Sequence, residues 1–242
     1  MATDTYVDFW SKMFGLSSKE LSSSTLSIVT AGHYVERHQD KYVFFYYDEF
    51  YGKKILACSE KNLMKTQEIT GEILNKLDIE SIRDALWFRE ADLAFRDIDF
   101  CLASKNSFKS VDSNNFDIRP LEAHQTAEIE KFYSDCTEDD KDTLDLTFEN
   151  EVALGIYQNS VLAGIARYTQ IRSTAIADIT VLVRKAARSQ GLSTPLVSRL
   201  VDLIFVENLF PKYRVEESNL SSIAIAKKLG FQPRFRILTW EA

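Results

Sequence analysis

Residues 181–195 read VLVRKAARSQGLSTP: an apolar, β-branched run, a short polar turn and the opening of a helix. Branched side chains suit the pleated surface of a strand, so Val181, Leu182 and Val183 are read as the end of one. Gly191 and Ser193 are small residues where the backbone must turn tightly. Glycine enters positive φ without strain and lets a ligand come close to the chain. Pro195 fits the first turn of a helix, where N–H groups have no intrahelical acceptor. Those N–H groups, with the positive end of the helix macrodipole, form an anion site suited to a pyrophosphate. Arg188 adds a guanidinium that matches phosphate oxygens. Strand, glycine and helix with an arginine nearby more often make a plain junction, so the turn alone does not decide function.

Working outward from this turn, the hydrophobic rhythm is regular. Upstream, Phe116–Leu121 reads as a strand, Ala127–Cys136 as a helix, and Glu151–Tyr157 and Val161–Ile171 as strands around a Gln158–Ser160 turn. Ala175–Val183 follows the turn Arg172–Thr174. Downstream, Leu192–Leu209 carries Leu192, Leu196, Leu200, Leu203 and Ile204 on one helical side. Tyr213–Glu216 is a short strand, Leu220–Leu229 a helix and Arg234–Trp240 a last strand. The order β-α-β-β-β-α-β-α-β predicts an α/β (α+β) fold, a mixed sheet flanked by helices.

Ser104–Asn115 (SKNSFKSVDSNN) is polar and aperiodic, and is read as a linker, the alternative being a long surface loop of one domain. It divides the chain into a smaller mixed α/β domain at 1–103, the linker at 104–115 and a second domain at 116–242. In the first part, Tyr6–Phe14 is read as a helix with Phe9, Trp10, Met13 and Phe14 on its apolar face. Lys41–Tyr47 and Lys54–Cys58 read as strands joined by a hairpin at Asp48–Gly52, and Leu63–Leu77 as a helix. No catalytic spacing occurs there, and His33 and His38 are read as ordinary surface or core histidines before ligands or bases.

A second stretch, residues 219–231, reads NLSSIAIAKKLGF. Asn219 suits an N-cap, Gly230 the left-handed position that ends a helix, and Lys227 and Lys228 the last turn. The two stretches together resemble the GNAT superfamily of N-acetyltransferases. Its motif Q/R-x-x-G-x-G/A is matched by Arg188, Gly191 and Ser193, with Ser in place of the last Gly or Ala. Its second signature, N-x-x-A/S with a terminal L-G-F, is matched by Asn219, Ser222, Leu229, Gly230 and Phe231, and Ile118–Leu121 is similar to its first strand. The resemblance covers about 125 residues, and the whole layout looks like a two-part subgroup of the family with an N-terminal extension.

The resemblance implies an acetyl-coenzyme A site where two parallel strands splay apart, here Ala175–Val183 and Tyr213–Glu216. Val181, Leu182 and Val183 would border the pantetheine arm, extending the sheet as an added strand does, and an amide at Val181 would polarise the thioester carbonyl. Arg188, Ser189, Gln190, Gly191, Leu192, Ser193 and Thr194 would hold the pyrophosphate, with Asn219 and Ser222 from the second motif. Direct attack on the thioester requires a neutral amine, so a base must take a proton. Asp178, a charged residue inside the apolar run IADITVLV, is the candidate, weighed equally against a merely partnered or solvent-facing Asp. Where many family members place a general-acid tyrosine, this chain has Ala226; Tyr213 and Tyr168 are the substitutes to consider, or water. Cys136 has no base beside it in sequence and is read as structural.

Composition excludes several other classes. A net charge of −7 argues against nonspecific nucleic-acid binding. Three scattered cysteines and three histidines leave neither a disulfide framework nor a tetrahedral zinc site, so no metal is expected. The start MATDTYVDFW lacks a secretory pattern and no run nears eighteen apolar residues, so no membrane partner and a cytoplasmic address are expected. The expected partners are acetyl-CoA and an amine acceptor, with the N-terminal part as a wall of the acceptor cleft or a homodimer interface. An acetyl-CoA sensor without catalysis is the competing reading. An acyltransferase with two active sites is unsupported, because residues 1–103 hold no second phosphate turn.

Overall fold

The computed structural model describes residues 2–30, 42–59, 62, 93–149, 151–171 and 173–241. His33, His38, Arg172 and the helix expected at Leu63–Leu77 fall outside them. In chain order the elements are α1 (Ala2–Phe14), α2 (Ser18–Leu21), β1 (Leu26–Val29), β2 (Tyr42–Asp48), β3 (Lys54–Ala57) and β4 (Leu93–Cys101). Next come β5 (Asp117–Pro120), α3 (Thr126–Tyr133), α4 (Glu138–Leu144), β6 (Glu151–Gln158), β7 (Val161–Gln170) and β8 (Ile176–Val183). The chain ends with α5 (Ser193–Val206), β9 (Phe210–Glu216), α6 (Leu220–Lys228) and β10 (Gln232–Glu241). Contacts group these into two units. One is built mainly from Thr3–Phe100, Val215–Leu220 and Pro233–Ala242, the other mainly from Cys101–Arg214 and Ser221–Gln232.

In the first unit, β2 and β3 form the expected antiparallel hairpin, and β1 lies parallel to β3. Side chains alternate across β2. Val43 and Phe45 join Leu56, Cys58 and Trp240 in one buried cluster. Tyr46 turns the other way, against Trp10, Phe14 and Phe235. Trp10 and Phe235 lie 4.4 Å apart between ring centroids, so the apolar face read at Tyr6–Phe14 is the face α1 buries. The last strand departs from the expected division. Although Arg234–Trp240 follows the second motif in sequence, β10 pairs antiparallel with β2 along Phe235↔Asp48 to Glu241↔Tyr42. Arg234 secures that pairing: its Nη2 donates to the buried Asp48 Oδ2 at 2.7 Å. Burial pushes the Asp48 carboxyl up from its ordinary range, against the opposing pull of Arg234.

In the second unit the strand order is β9-β8-β7-β6-β5. Strands β5 to β8 pair antiparallel, while β9 runs parallel to β8. The β6–β7 hairpin turns at Asn159 and Ser160, with φ of 50° and 62°. Two left-handed central residues match the twist of a two-residue hairpin. Helices α3 and α4 cover one face, where Ile129, Phe132 and Leu144 meet Ala153, Ile165 and Leu182. Helix α5 packs against β6, β7 and β8. None of its buried residues belongs to that cluster, which places α5 on the opposite face. Leu196, Val197, Leu200, Val201 and Ile204 are fully buried. Each such side chain stabilises the fold by about 1.5–3 kcal/mol relative to exposure.

Ser104–Asn115 is not a free linker. The Val111 amide donates to Ser198 Oγ at 2.9 Å, and Lys109 N–H to the Leu229 carbonyl at 2.9 Å. Phe108 meets Phe205 edge-on at 5.7 Å, and the Lys105 ammonium lies over the same ring. The stretch is therefore a loop fastened onto α5 and the end of α6. None of the three cysteines is in a disulfide, and Cys136 donates its thiol to the Phe132 carbonyl at 3.4 Å. Burial pushes that thiol up, away from reactivity. No helix among the described residues is long and apolar enough to cross a membrane.

Candidate active site

Strands β8 and β9 pair for only three residues: Ile176↔Phe210, Ala177↔Pro211 and Asp178↔Lys212. Both strands continue, β8 to Val183 and β9 to Glu216, but the ladder between them ends at Asp178 and Lys212. On its other side β8 stays paired with β7 through Val183. Beyond Asp178, then, one edge of β8 has no strand partner in this unit, and its backbone groups can serve an extended ligand. Val181, Leu182 and Val183 lie on β8 beyond the last rung of that ladder.

The last rung of the ladder carries charge. Lys212 Nζ donates to Asp178 Oδ1 at 3.2 Å. The lysine is 1% exposed, whereas the aspartate side chain is 36% exposed. Asp178 Oδ2 has no hydrogen bond among the described residues and is open to a proton donor. Period-two alternation puts Asp178 on the same face as Leu182, and Ile179, Val181 and Val183 on the other. Sequence reading singled out Asp178 but missed Lys212. A lysine in the run FPKYRVE looks like an exposed strand residue, and which residue it meets is set by the register of β9 against β8.

After Val183 the chain makes a single 3-10 turn at Lys185–Ala187. Two left-handed residues follow, Ser189 with φ 62° and Gly191 with φ 76°. Left-handed backbone costs a residue with a Cβ about 1–2 kcal/mol, so Ser189 stores strain at this turn. Around Gly191 no heavy atom lies within 4 Å of where a Cβ would be, so the backbone there is open to a ligand. Helix α5 begins with Leu192 at its N-cap and no side-chain cap. The first intrahelical bond is Leu196 N–H to the Leu192 carbonyl. The Ser193 and Thr194 amides therefore lack an acceptor among the described residues. Open space at Gly191, uncapped amides and the helix dipole fit a diphosphate.

Arg188 is held differently from the expectation. Its Nε donates to the Val183 carbonyl at 2.9 Å, and Nη2 reaches both oxygens of Asp140 at 2.9 and 2.8 Å. Asp140 also closes the capping box of α4 with Thr137. The arginine therefore braces the turn, through Val183 and Asp140. Gln190 donates to the Ala186 carbonyl at 3.2 Å and accepts from Gln158 at 2.9 Å, which ties the turn to the β6–β7 hairpin. Burial raises the Asp140 carboxyl, but hydrogen bonds from Thr137 and Arg188 outweigh it and hold the group low. A depressed carboxyl stabilises the fold above its unfolded pKa of about 3.9. That stabilisation is lost as pH falls through the lower folded value. Asp140→Asn should therefore melt below the unaltered chain at about pH 7, with the gap closing toward about pH 3. A gap in melting temperature that stays constant with pH would refute this.

The remaining residues divide. Tyr213 is 3% exposed, and its ring meets Phe231 edge-on at 6.3 Å. Burial pushes its phenol up to about 12, with Ser222 pulling weakly the other way. The hydroxyl makes no well-formed hydrogen bond among the described residues. It keeps its proton at neutral pH, yet alternation along β9 points it away from the face that holds Lys212 and Asp178. The structure thus brings Ser222 toward Tyr213 but does not bring Tyr213 to Asp178. Tyr168 is buried on β7 opposite Ile179, and burial raises its phenol too. Ala226 is fully buried in α6. Asn219 lies in the turn before α6, with its own N–H on the Glu216 carbonyl. Among the described residues no group of His, Cys, Asp or Glu gathers as a metal site would.

Residues 118–231 match the family model described as the acetyltransferase (GNAT) family. Among solved structures, the chain is similar to a GNAT-family acetyltransferase from Novosphingobium aromaticivorans: 18% identity, TM-score 0.49, covering 61% of this chain and 65% of that one. It spans slightly less than two thirds of that protein. A GNAT-family acetyltransferase from Colwellia psychrerythraea gives 14% identity and a TM-score of 0.49, covering 75% of this chain and 72% of that one. The ribosomal-protein-S18-alanine N-acetyltransferase from Escherichia coli gives 18% and 0.41, covering 52% and 93%. No curated protein matches the sequence.

Proposed function

We propose that this chain, whose residues 118–231 match the acetyltransferase (GNAT) family model, moves an acetyl group from acetyl-CoA to a primary amine by direct attack in a ternary complex. The observation that carries this reading is the splay of β8 from β9 beyond Asp178↔Lys212, running into the open turn at Gly191. Bound acetyl-CoA would supply an activated thioester carbonyl. The amides of Gly191, Leu192, Ser193 and Thr194 hold its pyrophosphate, and the free edge of Val181–Val183 aligns its extended arm. Asp178 Oδ2 takes one proton from the acceptor ammonium. The neutral nitrogen then forms a bond to the carbonyl carbon as the carbon–sulfur bond breaks. The thiolate leaves and is protonated by water, since a thiolate is a good leaving group and Tyr213 faces away. The nitrogen sheds its second proton, giving an N-acetyl amide and free coenzyme A.

Thermal unfolding with coenzyme A tests the cofactor site. At a hundredfold excess over Kd, ligand binding stabilises the fold by about 2.7 kcal/mol. For a chain of this size that raises Tm by about 5–10 °C. No shift would remove the reading. Release of free thiol from acetyl-CoA over a panel of primary amines tests the reaction. The second reading, a sensor that binds acetyl-CoA without turnover, is favoured by Ala226 and by the facing of Tyr213. Stabilisation without thiol release from any amine would select it.

A further inference from the structure

We infer that Lys212 is a positioning residue for the transfer reaction, holding the Asp178 carboxylate at the point where β8 and β9 part; this rests on the acetyltransferase reading above.

Lys212 is 1% exposed. Taking an ammonium out of water costs several kcal/mol even after relaxation, and an apolar residue of similar volume commonly serves packing as well or better. Purely as filling for the sheet, lysine is a poor choice. Its place gives it another use. The β8–β9 ladder ends at the Asp178↔Lys212 rung, so Asp178 is the last β8 residue whose neighbour on that side is fixed by strand pairing. Past it the backbone is released to accommodate ligand. A carboxylate at such a boundary, one third exposed, would otherwise sample several rotamers.

Lys212 restricts it. The lysine stem is immobilised by burial, so the ammonium is a fixed point, and of the two Asp178 oxygens it bonds Oδ1, at 3.2 Å. Oδ2 is left directed by the same bond and without a hydrogen bond among the described residues. One oxygen anchored and one free is the arrangement a proton acceptor needs if it is to meet its donor in a single orientation. The nearest phenol on β9, Tyr213, points to the opposite face, so Lys212 is the β9 residue that addresses this carboxylate.

The test uses the full chain with Lys212→Met, Lys212→Arg, Asp178→Asn and the double variant Asp178→Asn/Lys212→Met. Acetyl-CoA Kd is measured by calorimetry, and kcat and acceptor KM by thiol release. Lys212→Met should lower kcat about a hundredfold, with acetyl-CoA Kd changed less than about threefold. Lys212→Arg, which keeps a cation on Oδ1, should recover at least about tenfold of that loss. Because the two residues act as one unit, the double variant should be no slower than Asp178→Asn alone. Unchanged kcat in Lys212→Met overturns the inference. So does a loss shared equally by Kd and kcat without rescue by arginine, or losses that multiply in the double variant. Should Lys212→Met fail to fold, the arginine variant and the double variant, which removes both charges together, still decide. Failure of the acetyltransferase reading shows separately, as absent acetyl-CoA binding or turnover in the unaltered chain.

Discussion

Asp178→Asn is expected to lower kcat by about 10²–10⁴-fold at neutral pH, the range of a lost general base. Acetyl-CoA affinity should stay within about threefold, because the amides at Gly191–Thr194 and the β8 edge are untouched. Asparagine keeps the shape of the side chain and can still accept from Lys212, but it cannot take a proton. Stability will fall as well, because the buried ammonium loses the carboxylate charge of Asp178. Removing one member of a fully buried pair costs about 3–5 kcal/mol, and the one-third exposure of Asp178 reduces that through water. Kinetics must therefore be measured well below the melting temperature, with acetyl-CoA Kd on the same sample. Turnover equal to that of the unaltered chain would take Asp178 out of the mechanism and leave its bond with Lys212 as a structural one.

The largest stability effect is expected at Gly230. Its φ is +90°, and a Cβ there would sit 2.1 Å from the Ser107 carbonyl oxygen. That oxygen is backbone, in the stretch whose Lys109 amide bonds the Leu229 carbonyl. Alanine must either push this loop off the end of α6 or distort the helix terminus. Phe231 N–H to Ala226 and Gly230 N–H to Lys227 form the paired bonds of that terminus. Gly230→Ala should cost about 3 kcal/mol through overpacking and backbone strain, or about 6–12 °C in Tm. Gly15→Ala is the control: φ is +64°, but nothing lies within 4 Å of the added carbon. That change should cost only the left-handed backbone, about 1 kcal/mol. Equal losses at the two positions would mean that the Ser107 contact is not held in solution.

Much of this was legible because it is local. Strands β6, β7 and β8 follow from apolar runs broken by turn residues, and α1 from the spacing of Phe9, Trp10, Met13 and Phe14. Helix α4 was missed because EDDKDTL buries only Leu144 and is fixed by the Thr137–Asp140 capping box rather than by a periodic face. Strand β4 was missed because Arg96, Asp97 and Asp99 interrupt its apolar pattern. At the candidate site, Gly191 and the helix start were readable, whereas the partner of Arg188 was not.

Local sequence was enough for strands β6 to β8, for helices α1 and α5, for the left-handed turns at Gly191 and Gly230, and for the uncapped start of α5. These depend on φ, on missing N–H acceptors and on side-chain period, all set within a few neighbouring residues. That Arg188 is held by Asp140, that Lys212 meets Asp178, that Ser198 fastens Val111 and that Arg234 holds Asp48 follows from the packed fold alone. These partners stand 48, 34, 87 and 186 residues apart. Which of them meet is fixed by strand register and helix docking, and a register shift of one residue would turn each strand's side chains to the other face.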